Sequence, residues 1–231
     1  MDWVHAPGAA RLDGLELSDE ETRHLVRVRR AREGDVVCGT DGEGTVFSAR
    51  VRSLRPRATL EILSRQTPAF PWASRLVLGL APAKGEAMTA ALAAAAALGA
   101  TDIVPVETER AVARVTANAR ERFARALVEA GKQANRPRFP ALHAPCALPA
   151  FLGTWAEVPV RRILHPGLFP ALGPAGEDAV VLVGPEGGFA DDEVAAARAA
   201  GFAPASLGPY LLRSELAAAT AVARLRAGTG G

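Results

Sequence analysis

Two loop segments carry the residue types best suited to chemistry. In "LVGPEGGFADDEV" (182–194) an aliphatic run stops at Gly184, Pro185, Glu186, Gly187 and Gly188, and the chain then turns acidic. In "SLGPYLLRSE" (206–215) Leu207, Gly208, Leu211 and Leu212 lead into Arg213 and Glu215. A third segment, "ILHPG" (163–167), offers Leu164 and His165. Glycine lets a ligand approach main-chain amides and carbonyls closely, and proline stiffens the turn beside it. Arg213 stays protonated at ordinary pH, so it can stabilise an anion or orient a substrate but cannot serve as a base. Glu215 can accept a proton or hold Arg213 in place. Ordinary roles compete with these: the glycines can simply turn strand into helix, and an acid in the first turn of a helix is favoured by the helix dipole. Two glycine-bearing strand ends, each with an embedded charge, favour a ligand site over two plain turns.

The surrounding pattern explains how such loops are positioned. From Leu76 onward, aliphatic runs alternate with helical segments: "RLVLGLA", "DIVPVE", "RRILHP", "AVVLVGP" and "FAPASLG" read as strands. The helices are "GEAMTAALAAAAALG", closed by Gly99, then "ARERFARALVEAGKQA", "DDEVAAARAAG" and "SELAAATAVARLRA". This βαβ alternation predicts an α/β domain with a mainly parallel sheet covered on both faces. Ligands of such sheets bind outside the carboxyl ends of the strands, where all three loops fall. Residues 1–67 read differently. "GDVVCGTDGEGTVFSARVRSLRPRATLEIL" alternates apolar and polar residues around a "DGEG" turn, the pattern of a small β-barrel or sheet. Ser18, three residues before Glu21, predicts a capping box at the start of a helix in "LSDEETRHLVRV". Proline-bearing "QTPAFPWAS" reads as a linker, giving domains over 1–67 and 75–231 joined by 68–74.

Composition narrows the function classes. Neither G-x-G-x-x-G nor G-x-x-x-x-G-K-[ST] is present, which argues against a dinucleotide or ATP at the glycine loop. Cys38 and Cys146 have no second Cys or His at ligand spacing, so no metal site is expected and a reducing cytoplasm is the simplest location. The N-terminus mixes charges early without an apolar core, so no secretory signal is expected, and "AMTAALAAAAALGA" is too short and weakly apolar to span a bilayer. Net charge is only +2, yet of 27 basic residues only Lys84 and Lys132 are lysines. Arginine suits phosphates and stacked bases, although a hot habitat or a GC-rich genome also enriches it.

Taken together, "LVGPEGGFADDEV" and "LGPYLLRSELAAATAVA" resemble the paired C-terminal motifs of the SPOUT class of RNA methyltransferases, most closely the 16S rRNA uridine-N3 methyltransferase family. The likeness extends to "KGEAMTAALAAAAALGATDIVPVETERAV", "EAGKQANRPRFP" and "HLVRVRRAREGDVV", and so covers most of the chain. The resemblance implies a C-terminal domain tied in a trefoil knot, a PUA-like RNA-binding barrel before it, and a homodimer formed through the knot. It implies S-adenosylmethionine as cofactor, held by Leu164, His165, Gly184, Pro185, Glu186, Gly187, Gly188, Leu207, Gly208, Leu211, Leu212 and Arg213. Catalysis would fall to Arg213 and Glu215, on a uridine of 16S rRNA in the small ribosomal subunit. The chain departs from the family pattern at Ala97, where an acid is expected, at "GKQANR" in place of "EQSGR", and at Leu216, where threonine is common.

RNA contacts are expected from "RHLVRVRRAR", with Arg23, Arg27, Arg29 and Arg30, and from Arg110 in "VETERAVAR". Phosphate contacts of this kind set affinity and position rather than sequence readout. Residues 1–70 hold 11 basic and 11 acidic side chains, so this reading requires a local patch; a solvated helix face paired with Glu20 and Glu21 is the competing account. Two other functions remain open at this point: a SPOUT enzyme acting on a ribose 2'-hydroxyl or a tRNA base, and a non-catalytic RNA-binding or assembly module.

Overall fold

The computed structural model describes residues 3–69, 71–167 and 169–228. Internal contacts divide the chain into two compact units, Met1–Phe70 with Val128–Phe139, and Pro71–Leu127 with Pro140–Gly231. Segment 128–139 thus gathers with the first unit although it lies far along the sequence of the second.

The first unit is a five-stranded sheet in the order β1 (Val4–His5), β3 (Val36–Thr40), β4 (Val46–Ser53), β5 (Thr59–Gln66), β2 (Gly14–Glu16). All its ladders are antiparallel except β1 with β3. In β4 Phe47, Ala49 and Val51 are buried while Arg50 and Arg52 face out, and register shifts along β4 and β5 curl the sheet around that inner face. Helix α1 (Asp19–Arg23) continues as a π-helical turn, His24–Val28. Only half of the expected capping box forms: Ser18 Oγ accepts from the Glu21 amide at 3.1 Å. The Glu21 carboxylate turns inward instead, accepting from Lys132 Nζ at 2.6 Å and from the His5 amide at 3.2 Å. Glu129 also accepts from Lys132, at 2.8 Å. Burial disfavours the charged ammonium, but its two carboxylate partners outweigh this and the Lys132 pKa is raised.

The second unit is built on a parallel sheet in the order β12 (Ala203–Ala205), β10 (Val160–Leu164), β11 (Ala179–Val183), β6 (Leu76–Leu80), β7 (Asp102–Glu107), β8 (Ala141–Leu142), with β9 (Cys146–Ala147) also on β7. Every residue of β6 and β11 is buried, which is why both read as unbroken aliphatic runs. The helices are α2 (Glu86–Leu98), α3 (Ala117–Gln133), whose last turns from Val128 belong to the first unit, α4 (Leu148–Thr154), α5 (Asp191–Ala199) and α6 (Ser214–Arg226). The expected helices are all present. Helix α4 and strands β8 and β9 are additions, in a stretch too short and too rich in proline to show a period. Alanines on α2 and α6 let these two helices pack closely, with Ala91, Ala95, Ala96, Ala218 and Ala221 all buried.

Helix α6 runs back across the sheet from its edge. Strand β12 lies at the sheet edge beyond β10, yet α6, which follows it, packs on α2, β6 and β11. To get there the chain returns past the β10-to-β11 connection. That connection is bonded to both sides of the returning segment, Leu172 N donating to Ser206 O at 2.9 Å and Ala175 N to Leu225 O at 3.1 Å. The α/β trefoil-knot class expected from the resemblance is the fold observed.

Candidate active site

Strands β10, β11 and β12 are neighbours around β10, so the loops leaving their carboxyl ends converge. They enclose a cavity of about 320 Å³. Its walls include Leu164, His165, Gly184, Pro185, Glu186, Gly187, Gly188, Leu207, Gly208, Leu211 and Leu212, every residue expected at the cofactor except Arg213. The walls combine aliphatic side chains with exposed main chain, a lining able to hold a ligand that is part apolar and part hydrogen-bonding.

Each loop has a local reason for its shape. Gly188 N donates to Pro185 O at 2.8 Å, closing a turn in which Gly188 takes φ +69°, a conformation that side chains disfavour. Gly184 answers a different demand: a Cβ there would sit 2.9 Å from the buried Phe189 ring, which packs beneath the loop. In the third loop Ser206 Oγ accepts from Gly208 N at 3.2 Å and donates to Gly208 O at 3.0 Å. His165 donates from Nδ1 to the Pro166 carbonyl at 2.6 Å. Its ring stands edge-on to Phe169, with centroids 5.4 Å apart.

Arg213 precedes α6 as its N-cap residue and is exposed, while its neighbours Leu212 and Ser214 both line the cavity. Glu215 is half-buried in the first turn of α6. Among the described residues its Oε2 has no hydrogen-bond partner, and no ion pair joins it to Arg213. Phe189, Ser206 and Ser214 also line the cavity and were not foreseen, and Tyr210 lines it within the expected Leu207–Arg213 loop. Their positions beside the glycine and arginine motifs were the available signal.

The expected RNA contacts fall in two places. In the first unit Arg23, Arg27 and Arg30 are exposed and Arg29 is half-buried. Pairing with Glu21 does not account for them, because that carboxylate is buried against Lys132. Val26 and Val28 are exposed among them, giving a mixed basic and apolar strip. Arg110 instead lies against the glycine loop, its Nη1 donating to the carbonyls of Gly187 at 3.1 Å and Phe189 at 3.2 Å.

A parallel sheet with a cavity formed by the loops at its carboxyl edge is the arrangement expected of the knotted RNA methyltransferases. Residues 71–226 match the family described as RNA methyltransferase domain, and residues 17–63 match the RNA methyltransferase PUA domain. The chain belongs to the RNA methyltransferase domain family. It is 32% identical over 221 residues to the ribosomal RNA small subunit methyltransferase E of Synechocystis, covering 92% of this chain and 73% of that one. Among solved structures, the ribosomal RNA small subunit methyltransferase E of Neisseria gonorrhoeae bound to S-adenosylmethionine superposes with a TM-score of 0.87 at 28% identity, over 98% of this chain and 97% of that one. A Legionella pneumophila structure in complex with the cofactor SAM gives a TM-score of 0.90 at 29% identity, over the whole of both chains.

Among the described residues no group of His, Cys, Asp and Glu is arranged to hold a metal ion, and no helix is long and apolar enough to cross a membrane.

Proposed function

We propose that this protein transfers a methyl group from S-adenosylmethionine to N3 of a uridine in 16S rRNA of the small ribosomal subunit. The observation that carries this reading is the cavity itself: glycine-lined and part apolar, it is formed by the loops of β10, β11 and β12, and Arg213 adjoins it between the lining residues Leu212 and Ser214. The two solved relatives with this cofactor bound share the fold along nearly the whole chain. Leu164, Leu207, Leu211 and Leu212 would cover the apolar parts of the ligand and the main chain of 184–188 its polar edge.

The cofactor supplies an electrophilic methyl on a sulfonium. The protein must deal with the uridine, whose N3 proton has to leave and whose negative charge then spreads onto O2 and O4. Arg213 is assigned to stabilise that charge and orient the base, a guanidinium being permanently cationic and able to donate two parallel hydrogen bonds. Glu215 is assigned either to accept the N3 proton or to pair with Arg213 once the base is in place. Arg23, Arg27, Arg29 and Arg30 are assigned to phosphates of the RNA.

A homodimer through the knot completes this reading. Its support is a largely apolar surface on the second unit: a shallow depression is lined by Leu98 with Ala219, Thr220, Ala223, Arg224 and Ala227, and Leu216, exposed on the same helix α6, adds apolar area where the family commonly has threonine. Work on ribosomes in the cytoplasm fits the cysteine usage.

Unmodified small subunits incubated with labelled S-adenosylmethionine and the protein should yield 3-methyluridine on nucleoside analysis. Label in another nucleoside, or none with cofactor bound, rejects the assignment. Arg213→Ala should lower single-turnover transfer by about 10²–10³-fold, the effect typical of removing one charge-stabilising donor, with thermal unfolding unchanged.

A further inference from the structure

We infer that Arg110 and Glu193 are positioning residues for the glycine-rich loop, so that Arg110 governs affinity for the cofactor rather than for RNA. The inference rests on the reading of the cavity as the cofactor site.

The sheet order explains why such a device is needed. Strand β6 lies between β11 and β7, so no ladder bond joins the loop after β11 to the loop after β7. Two side chains join them across the end of β6. From the β7 side, a turn closed by Ala111 N donating to Thr108 O at 3.1 Å presents Arg110. Its guanidinium donates to Gly187 O and Phe189 O, and its Cβ lies 3.6 Å from where a Cβ on Gly187 would be, so the side chain also runs along the loop backbone. From the β11 side, Glu193 in the first turn of α5 returns the connection. Its Oε2 accepts from Ala190 N at 2.9 Å and its Oε1 from Glu109 N at 2.8 Å. The first bond is what any acid at this helix position would make. The second reaches 84 residues back along the chain and has no role in starting a helix.

The result is a closed circuit in which residues 187–190 are held at Gly187 and Phe189 by Arg110, and at Ala190 by Glu193, with both anchors based on residues 109–110. Gly187 and Gly188 line the cavity, and glycine main chain has the widest conformational freedom to lose. Fixing it in advance lowers the ordering cost that the ligand would otherwise bear. Arg110 touches the outer carbonyls of this loop, so its effect on the ligand passes through the main chain.

The test separates cofactor from RNA. Calorimetry with S-adenosylmethionine alone, filter binding to unmodified small subunits over a range of salt, and steady-state transfer are measured for the wild type, Arg110→Ala, Arg110→Lys and Glu193→Gln. Arg110→Ala should weaken cofactor binding and raise the cofactor KM by about tenfold, the scale of losing a charge-assisted hydrogen bond. Its kcat at saturating cofactor, its RNA affinity and its salt slope should stay as in the wild type. Arg110→Lys should recover part of the loss by reaching one carbonyl, and Glu193→Gln should weaken cofactor binding by a smaller factor. The inference is overturned if Arg110→Ala binds cofactor normally while its RNA affinity falls and its salt slope drops by about one, the mark of a lost phosphate contact. Should Arg110→Ala fail to fold, normal cofactor affinity in both Arg110→Lys and Glu193→Gln overturns it equally. A wild type that binds no S-adenosylmethionine would reject the cofactor site itself, an outcome distinct from any of these.

Discussion

The two ends of the parallel sheet are built on opposite principles. At the carboxyl ends of the strands, glycine-bearing loops surround a cavity, and Ser214 Oγ and Glu215 Oε2 have no hydrogen-bond partner among the described residues. At the amino ends, charged side chains are bonded to one another and to main chain, with Asp102 and Arg226 buried and Arg75 exposed. Arg75 grips Asp102 through two hydrogen bonds of 2.8 and 2.6 Å and lies over the Trp155 ring at 4.7 Å. His143 Nε2 and Thr101 Oγ1 bond the same carboxylate, each at 2.8 Å. Arg226, at the end of α6, bonds Gly99 O and Ser74 O and covers the Trp72 ring at 5.0 Å. One end leaves polar groups without partners among the described residues, and the other uses them to hold strands and helices together. Substitutions at the two ends should therefore fail in different assays.

The largest effect expected at the closed end is at Arg226. Burial pushes its guanidinium down to about 10, with Asp178 acting against the shift, so it remains charged at neutral pH. Its partners are the carbonyls that end α2 and precede β6, and α6 is the element that has returned past the β10-to-β11 connection. Arg226→Met keeps much of the apolar stem but leaves the buried Gly99 O and the half-buried Ser74 O without this donor, at a cost of about 1–3 kcal/mol. Urea unfolding should show that loss in full. Cofactor affinity of the folded variant, measured by calorimetry, should match the wild type; a weakened affinity would mean the two ends are coupled through α6.

These two ends were not equally legible. The carboxyl-end site could be read because each of its loops is local: the Gly184–Gly188 run and the Leu207–Glu215 run each fall within ten residues, and strand periodicity put them at one edge of a sheet. The amino-end cluster left no pattern, since Arg75 and Asp102 stand 27 residues apart and Asp102 and His143 stand 41 apart, with only the fold bringing them together. Arg110 shows the same limit at the site itself. Its charge suggested RNA, while the carbonyls it meets are 77 and 79 residues away. The knot lies beyond periodicity altogether, because the same strands and helices could be joined without threading; only the motif resemblance pointed to it. Glu21 marks a local rule overridden, its carboxylate drawn from the capping box to the buried Lys132.

A smaller and pH-dependent effect follows at Asp102. Burial opposes its ionisation, but hydrogen bonds from Arg75, His143 and Thr101 outweigh that and hold its pKa below the ordinary carboxylate value. A depressed folded pKa means that the unfolded state binds the proton more readily, so this contribution is present above the unfolded value of about 3.9 and is lost as pH falls through the folded one. The urea midpoint of the wild type should therefore exceed that of Asp102→Asn at pH 7, and the gap should narrow below about pH 4. A gap independent of pH would show that the carboxylate acts there by shape and not by charge.

The smallest effect expected distinguishes two kinds of glycine at the open end. A Cβ at Gly188 would meet nothing within 4 Å, so Gly188→Ala tests the backbone alone, at φ +69°. Placing alanine in that left-handed region costs roughly 1–2 kcal/mol. Gly184 is the reverse case, with no positive φ but with the Phe189 ring 2.9 Å from a Cβ, so its alanine variant must displace a buried aromatic. If the loop is held by the Arg110 and Glu193 anchors, it cannot relax to relieve the strain at position 188, and the cost should appear as reduced stability with cofactor affinity little changed. If the loop is free to move, it will relax, stability will be kept, and cofactor affinity will fall instead. Calorimetry and urea unfolding on Gly188→Ala, alone and combined with Arg110→Lys, separate these outcomes: loosening one anchor should shift part of the penalty from stability to binding, a dependence between the two positions that independent sites would not show.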